Sequence, residues 1–362
     1  MDSPCRRGHT EPKNKFGQCV VCLRESRRAY KKSLKQRTRI APPTVATTTP
    51  HTVVPHSFLA VARKWIATQD GVRASTAKKR EWMLEQLREL HDVPMADLTT
   101  PRIVRVLSAI ESVRDRRESA HRCGQLVGQI TRFAVNHDYA KVNVLPLGQL
   151  RGALKPVKAT SYAAIIEPER FGTLLKYIDL YADFITSRAQ PGVAPALQLA
   201  PLIFLRPGEL RKLEWAEVDL DKKEIVLPAE KMKQKKPHLV PLAKQAVSIL
   251  RTVHTVTGKD KFVFRTKKED APLSDNGFRE ALHTILGAMG EPRDAHTVHG
   301  FRSSASTLLN ELGIDSALIE LQLAHVKGDR VAGIYDRSQR LPERRAMMTK
   351  WANYLDKLRK GE

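Results

Sequence analysis

From Phe58 onward the apolar residues of this chain fall at helical spacing. Phe58, Val61, Ala62, Trp65 and Ile66 share one face. Further helices are predicted near residues 75–90, 100–112 and 118–138, with Thr100-Pro101 reading as a cap followed by a proline in the first turn. These stretches predict an all-α domain over residues 57–150. A basic linker, RGALKPVKATSYAAI (151–165), follows, and Glu167-Pro168-Glu169-Arg170 opens a new helix. Segment 221–242 interrupts the helical period: EIVLP and HLVPL are short β-prone runs around a lysine-rich turn, which predicts a hairpin. The run LIELQLA predicts a buried helix just before His325. The chain closes on an amphipathic helix whose Met347, Trp351, Tyr354, Leu355 and Leu358 share a face. The expected fold is mainly α, with a small β-sheet in the domain spanning residues 166–345 and a separate C-terminal helix over 346–362.

Charge changes the picture. The 362 residues carry a formal net charge of +23. Such an excess favours a polyanionic partner through counterion release. No segment has the roughly 18 uninterrupted apolar residues of a membrane span, and no signal peptide is visible. The expected location is the cytoplasm, without a membrane partner. Residues 41–56 are rich in Pro and Thr and read as an extended linker.

Residues 1–40 form a small basic unit with its own chemistry. Cys5, His9, Cys19 and Cys22 have the spacing C-x3-H-x9-C-x2-C, which suits a tetrahedral zinc site. A segment this short has almost no apolar core, so metal ligation is the visible way to fold it. The basic stretch RESRRAYKKSLKQRTR follows, either as a helix or as a disordered polycation. Cys123 is left over and reads as a small buried residue.

Polar residues over the second half of the chain can together handle one phosphodiester. They are Arg206 in LRPGEL, Lys233 in the turn KMKQKKPH, His299 and Arg302 in HGFR, His325 in LAH and Tyr335 in GIYDR. Phosphoryl transfer needs fixed cations for the non-bridging oxygens, a nucleophile and a proton donor for the leaving oxygen. His299 and Arg302 are spaced to share a helical face. Singly, each has an ordinary reading: Arg206 could pair with Glu209 at a helix start, His325 could cap a helix, and Tyr335 could be a packing residue. His296 is the better candidate for a histidine packed in a core. Lys231, Lys233, Lys235 and Lys236 all lie in the turn, and the residues alone do not choose among them.

The order Arg, Lys, His-x-x-Arg, His, Tyr resembles the tyrosine recombinases, or phage-type integrases. The strings FLRPGELRKLEW, EKMKQKKPHLVPL, HGFRSSASTLLNELG, LAHVKG and ERRAMMTKWANYLD are similar to those of the satellite-phage and genomic-island branch. The resemblance covers roughly residues 57 to 358. It implies the recombinase catalytic fold for 166–345 and a core-binding domain for 57–150. It implies Tyr335 as nucleophile, Lys233 as general acid (Lys235 being the fallback), and Arg206, His299, Arg302 and His325 on the phosphate. It further implies double-stranded DNA at attachment sites, a homo-tetramer on DNA, and neither ATP nor a catalytic metal. An excision factor or a host DNA-bending protein are further candidate partners. The terminal helix is expected to dock on a neighbouring subunit, although it could instead fold back onto its own domain. The N-terminal zinc module departs from the usual branch. A type IB topoisomerase shares the residue types, and a non-catalytic zinc-bearing DNA-binding regulator is the non-enzymatic alternative.

The metal expectation has a direct test. The purified chain should bind a single zinc ion, and Cys19→Ser or Cys22→Ser should release it in metal analysis. A metal-free chain whose DNA binding ignores chelator would refute the zinc module.

Overall fold

The computed structural model describes residues 56–146, 150, 152–157, 162–181, 192–266, 271–325 and 339–362. Cys5, His9, Cys19, Cys22 and Tyr335 lie outside the described residues. The chain divides into two compact units between Lys158 and Ala159.

Among its described residues the first unit is helical. Ser57 accepts a hydrogen bond from the Ala60 N–H (3.4 Å) and starts α1 (Phe58–Ala67). Helices α2 (Ala74–Gln86), α3 (Thr100–Ser112) and α4 (Arg117–Asn136) follow. Their apolar faces meet around Phe58, Trp65, Leu84, Leu107, Leu126 and Ile130. The cap of α3 is Thr99 rather than Thr100, and Thr100 Oγ1 instead donates to the Val144 carbonyl (2.7 Å). Cys123 is buried as expected, and burial pushes its thiol up to about 11.

The stretch read as one linker, 151–165, is shared between the units. Lys155 N–H donates to Glu111 (2.9 Å), and the Lys155 carbonyl accepts from His121 Nε2 (2.9 Å), both within the first unit. Ala163 and Ile165 are held in the second unit. The Ala163 carbonyl accepts from Thr297 N–H (3.0 Å), and the Ile165 carbonyl accepts from Ser304 Oγ (2.6 Å).

The second unit wraps helices around α6 (Val193–Ile203), whose residues are almost all buried. Before it comes α5 (Pro168–Asp179); after it comes the single turn α7 (Pro207–Leu210). The sheet is β1 (Val218–Asp219), β2 (Glu224–Leu227) and β3 (His238–Pro241), antiparallel in that order, with Ile225 opposite Val240. The hairpin is the one the sequence predicts; the two-residue β1 is an addition. Helices α8 (Lys244–Thr257), α9 (Asp275–Met289), α10 (Gly300–Glu311) and α11 (Ser316–Gln322) follow, and α12 (Leu341–Lys360) closes the chain.

Of the two placements the sequence allows for helix α12, the structure shows the folded-back one: its apolar face fills the core of its own unit. Trp351 is 0% exposed, Met347 and Leu355 are buried beside it, and all belong to one cluster with Phe171, Leu197 and Phe204. Trp351 Nε1 donates to the Pro201 carbonyl (2.8 Å), near the end of α6, where intrahelical donors have run out. Gly172 lets α5 approach the α12 backbone at Leu358, where a side chain would collide.

Two histidines are part of this core. His296 Nδ1 accepts from the Ile165 N–H (2.9 Å), and burial holds the ring down at about 3. His238 donates from Nε2 to the Gln322 carbonyl (3.1 Å), and burial with nearby Arg344 holds it at about 4. His296 therefore takes the packing role that the sequence suggested.

Two outcomes follow from this packing. Trp351→Ala should cost about 3–5 kcal/mol in urea unfolding of the purified chain, and truncation after Thr349 should unfold the second unit. A truncated monomer as stable as its parent would return the helix to docking in trans. The histidines set a pH dependence. Unfolded imidazole titrates near 6.5. Between about 6.5 and 4 the unfolded chain binds protons that the folded chain refuses, so stability falls as pH falls through this window. At pH 5 the loss should be about 2 kcal/mol for each ring held neutral, read from denaturation midpoints at pH 8 and pH 5. Equal midpoints would show that these rings are not buried neutral.

Candidate active site

Arg206 is the N-cap of α7 in extended backbone, and Pro207 follows in the first turn. Its Nη1 donates to Glu209 (2.9 Å), and Glu209 also accepts the Arg206 backbone N–H (2.9 Å). This is the helix-start pairing that the sequence allowed, but the other end of the guanidinium does something more. Arg206 Nη2 donates across the unit to the Ala324 carbonyl (3.2 Å).

His299 caps α10 and Arg302 lies in its first turn, so the spacing does place them together. Arg302 is only 4% exposed. Its Nη1 donates to the Phe204 carbonyl, and its Nη2 donates to the Leu323 carbonyl (2.6 Å) and to His325 Nε2 (3.0 Å). Among the described residues no carboxylate pairs with it. Burial, and then repulsion from Arg206, lower its pKa to about 10. Phe204, whose carbonyl faces Arg302, is itself in the left-handed region (φ 60°) at the end of α6.

His325 lies just past α11. Its Nδ1 is 2.9 Å from Glu320. An arginine only donates, so Nε2 accepts from Arg302 and the proton sits on Nδ1, toward the carboxylate. No sequence motif marks Glu320. His299 is half-buried, with the Tyr162 ring 4.2 Å away, centroid to centroid. Burial first, then Arg302, Arg206 and His325, hold its pKa down at about 4. It is neutral near pH 7.

The lysine turn is anchored at one residue and open at another. Lys231 is bound to Glu214 (2.8 Å) and Glu217 (2.7 Å), so it serves the structure. Lys233 and Lys235 are both exposed. Gln234 between them donates from Nε2 to the Ala324 carbonyl (2.6 Å), the same oxygen that Arg206 holds. Thus Arg206, His299, Arg302 and His325 are brought into one cluster, and the Lys233 turn is tied to it. Tyr335 is outside the described residues.

Residues 58–153 match the Phage integrase central domain, and residues 173–341 match the Phage integrase family. Prophage integrase IntZ of Escherichia coli (strain K12) is 34% identical over 84% of this chain and 72% of its own length. The integrase of Enterobacteria phage P4 is 32% identical over 83% of this chain and 70% of its own length. In fold, the chain is similar to a lambda integrase tetramer bound to a Holliday junction, with TM-score 0.59 and 18% identity over 91% of this chain and 90% of that one. With two buried helix ends turned toward its arginines and integrase sequence over most of its length, the chain belongs to the phage integrase family and is a site-specific tyrosine recombinase.

Proposed function

We propose that this recombinase integrates or excises a mobile element by cutting and rejoining double-stranded DNA at attachment sites through a 3′-phosphotyrosine at Tyr335. The observation that carries the reading is Arg302: a buried guanidinium with no carboxylate partner among the described residues, beside a second arginine. Such a pair is stabilised by an anion, and a phosphodiester fits two guanidinium forks.

In the proposed step the Tyr335 oxygen bonds to phosphorus and the bond from phosphorus to the 5′-oxygen breaks. The phenol proton passes to His299, which is neutral and can accept it. Lys233 gives a proton to the departing 5′-oxygen. Arg206 and Arg302 balance the charge on the non-bridging oxygens, and His325 orients Arg302. A 5′-hydroxyl from a partner strand reverses the step. Neither ATP nor a catalytic metal takes part, because the phosphoryl bond is conserved in the protein–DNA link. The lambda integrase tetramer on a Holliday junction supports a tetramer on DNA, and an excision factor or a host DNA-bending protein are further candidate partners. The net charge of +23 supports cytoplasmic residence on the nucleoid. The cysteine–histidine spacing supports a structural zinc on Cys5, His9, Cys19 and Cys22, folding an accessory DNA-binding module.

The test is covalent capture on a nicked suicide substrate. Tyr335→Phe should keep DNA binding and form no adduct; an adduct from this variant would remove Tyr335 from the role. Arg206→Ala and Arg302→Ala should lower the cleavage rate about 100- to 1,000-fold. A 5′-bridging sulfur needs no proton to leave, so it should restore Lys233→Ala and neither arginine variant. Restoration of a Lys235 variant instead would move the general acid two residues along.

A further inference from the structure

The turn between β2 and β3 is held at three points around the exposed Lys233. Lys231 is fixed by Glu214 and Glu217. Met232 is buried in the core of the second unit. Lys235 N–H donates to the Met232 carbonyl (3.2 Å), so Lys233 and Gln234 are the two central residues of a tight turn. Gln234 then reaches out of that turn to the Ala324 carbonyl at 2.6 Å. Lys233 is exposed, with an anchored residue on either side.

The contact matters because of which carbonyl it uses. Ala324 is in the left-handed region (φ 48°), between Leu323, which accepts from Arg302, and His325, which accepts from the same arginine. Its oxygen also accepts from Arg206. One backbone oxygen thus joins the lysine turn to Arg206, and the carbonyl before it, of Leu323, holds Arg302.

We propose that Gln234 is a positioning residue for the general acid. Its side-chain amide docks the turn on the Ala324 carbonyl and so sets where the Lys233 ammonium meets the leaving 5′-oxygen. The inference rests on the reading of Lys233 as general acid. It explains why a lysine in a solvated loop can serve a geometrically demanding proton transfer: the backbone beneath it is tied to the phosphate-binding arginines. Without the tie the turn keeps Lys231 and Met232, so the fold persists while the lysine loses its register.

Gln234→Met tests this, since it keeps length and apolar bulk but has no donor. With an ordinary phosphodiester, single-turnover cleavage should fall about 10- to 100-fold, and with the 5′-bridging sulfur it should return to within about threefold of the parent. The thermal midpoint should match the parent. A loss of equal size on both substrates would overturn the proposal, because the residue would then act through the arginines or the fold. No loss on either would overturn it too. Lys233→Ala assayed alongside separates the levels. If sulfur fails to restore Lys233→Ala, the general-acid reading falls and this inference with it. If sulfur restores Lys233→Ala but not Gln234→Met, only the inference falls.

Discussion

A buried guanidinium held by two helix ends organises the catalytic unit. Arg302 donates to Phe204 at the end of α6 and to Leu323 at the end of α11. The last carbonyls of a helix have no intrahelical donors and carry partial negative charge. A cation is their natural partner, and one cation between two such ends fixes their separation. The arrangement leaves Arg302 hydrogen-bonded at Nη1 and Nη2, with its buried Nε unpartnered and no carboxylate paired to it among the described residues. The charge is placed and oriented by backbone carbonyls, and a charge fixed in advance meets the condition for electrostatic stabilisation without reorganisation.

The end of α11 shows how much depends on one turn. Ala324 N–H donates to the Leu321 carbonyl (3.2 Å) and His325 N–H to the Glu320 carbonyl (3.1 Å), the paired bonds of a helix stop with a left-handed residue between them. That stop releases three successive carbonyls. Gln322 accepts from His238, Leu323 from Arg302, and Ala324 from Arg206 and Gln234. The hairpin, both arginines and the lysine turn therefore share one satisfied stretch of backbone. His325 is at once the residue after the stop and a neighbour of Arg302, so its structural and chemical readings describe the same position.

The sequence made the helices, the hairpin and the cluster of Arg206, His299, Arg302 and His325 legible, because periodicity and short motifs are local signals. It did not show what each face meets. The stripe on α12 reads identically whether it docks in cis or in trans; only the path of the chain brings Trp351 to Pro201. Gln234 is a further case, since a glutamine among four lysines looks like a solvated loop residue until Ala324 is placed beside it. Glu320 and Tyr162 were invisible for the same reason: their partners are distant in sequence or unmarked by any motif.

The start of α12 is tied back to α11 and the sheet. Near its start Arg344 is buried, donating to Gln322 Oε1 (2.7 Å) and to the Leu239 carbonyl (2.6 Å). Arg340 donates to Asp315 at the start of α11 (2.6 Å). The chain that carries Tyr335 thus leaves from the His325 turn and returns to a helix bound back to that same α11. Both ends are fixed to the element that holds the arginines. The apolar face of α12 is consumed in the core of its own unit.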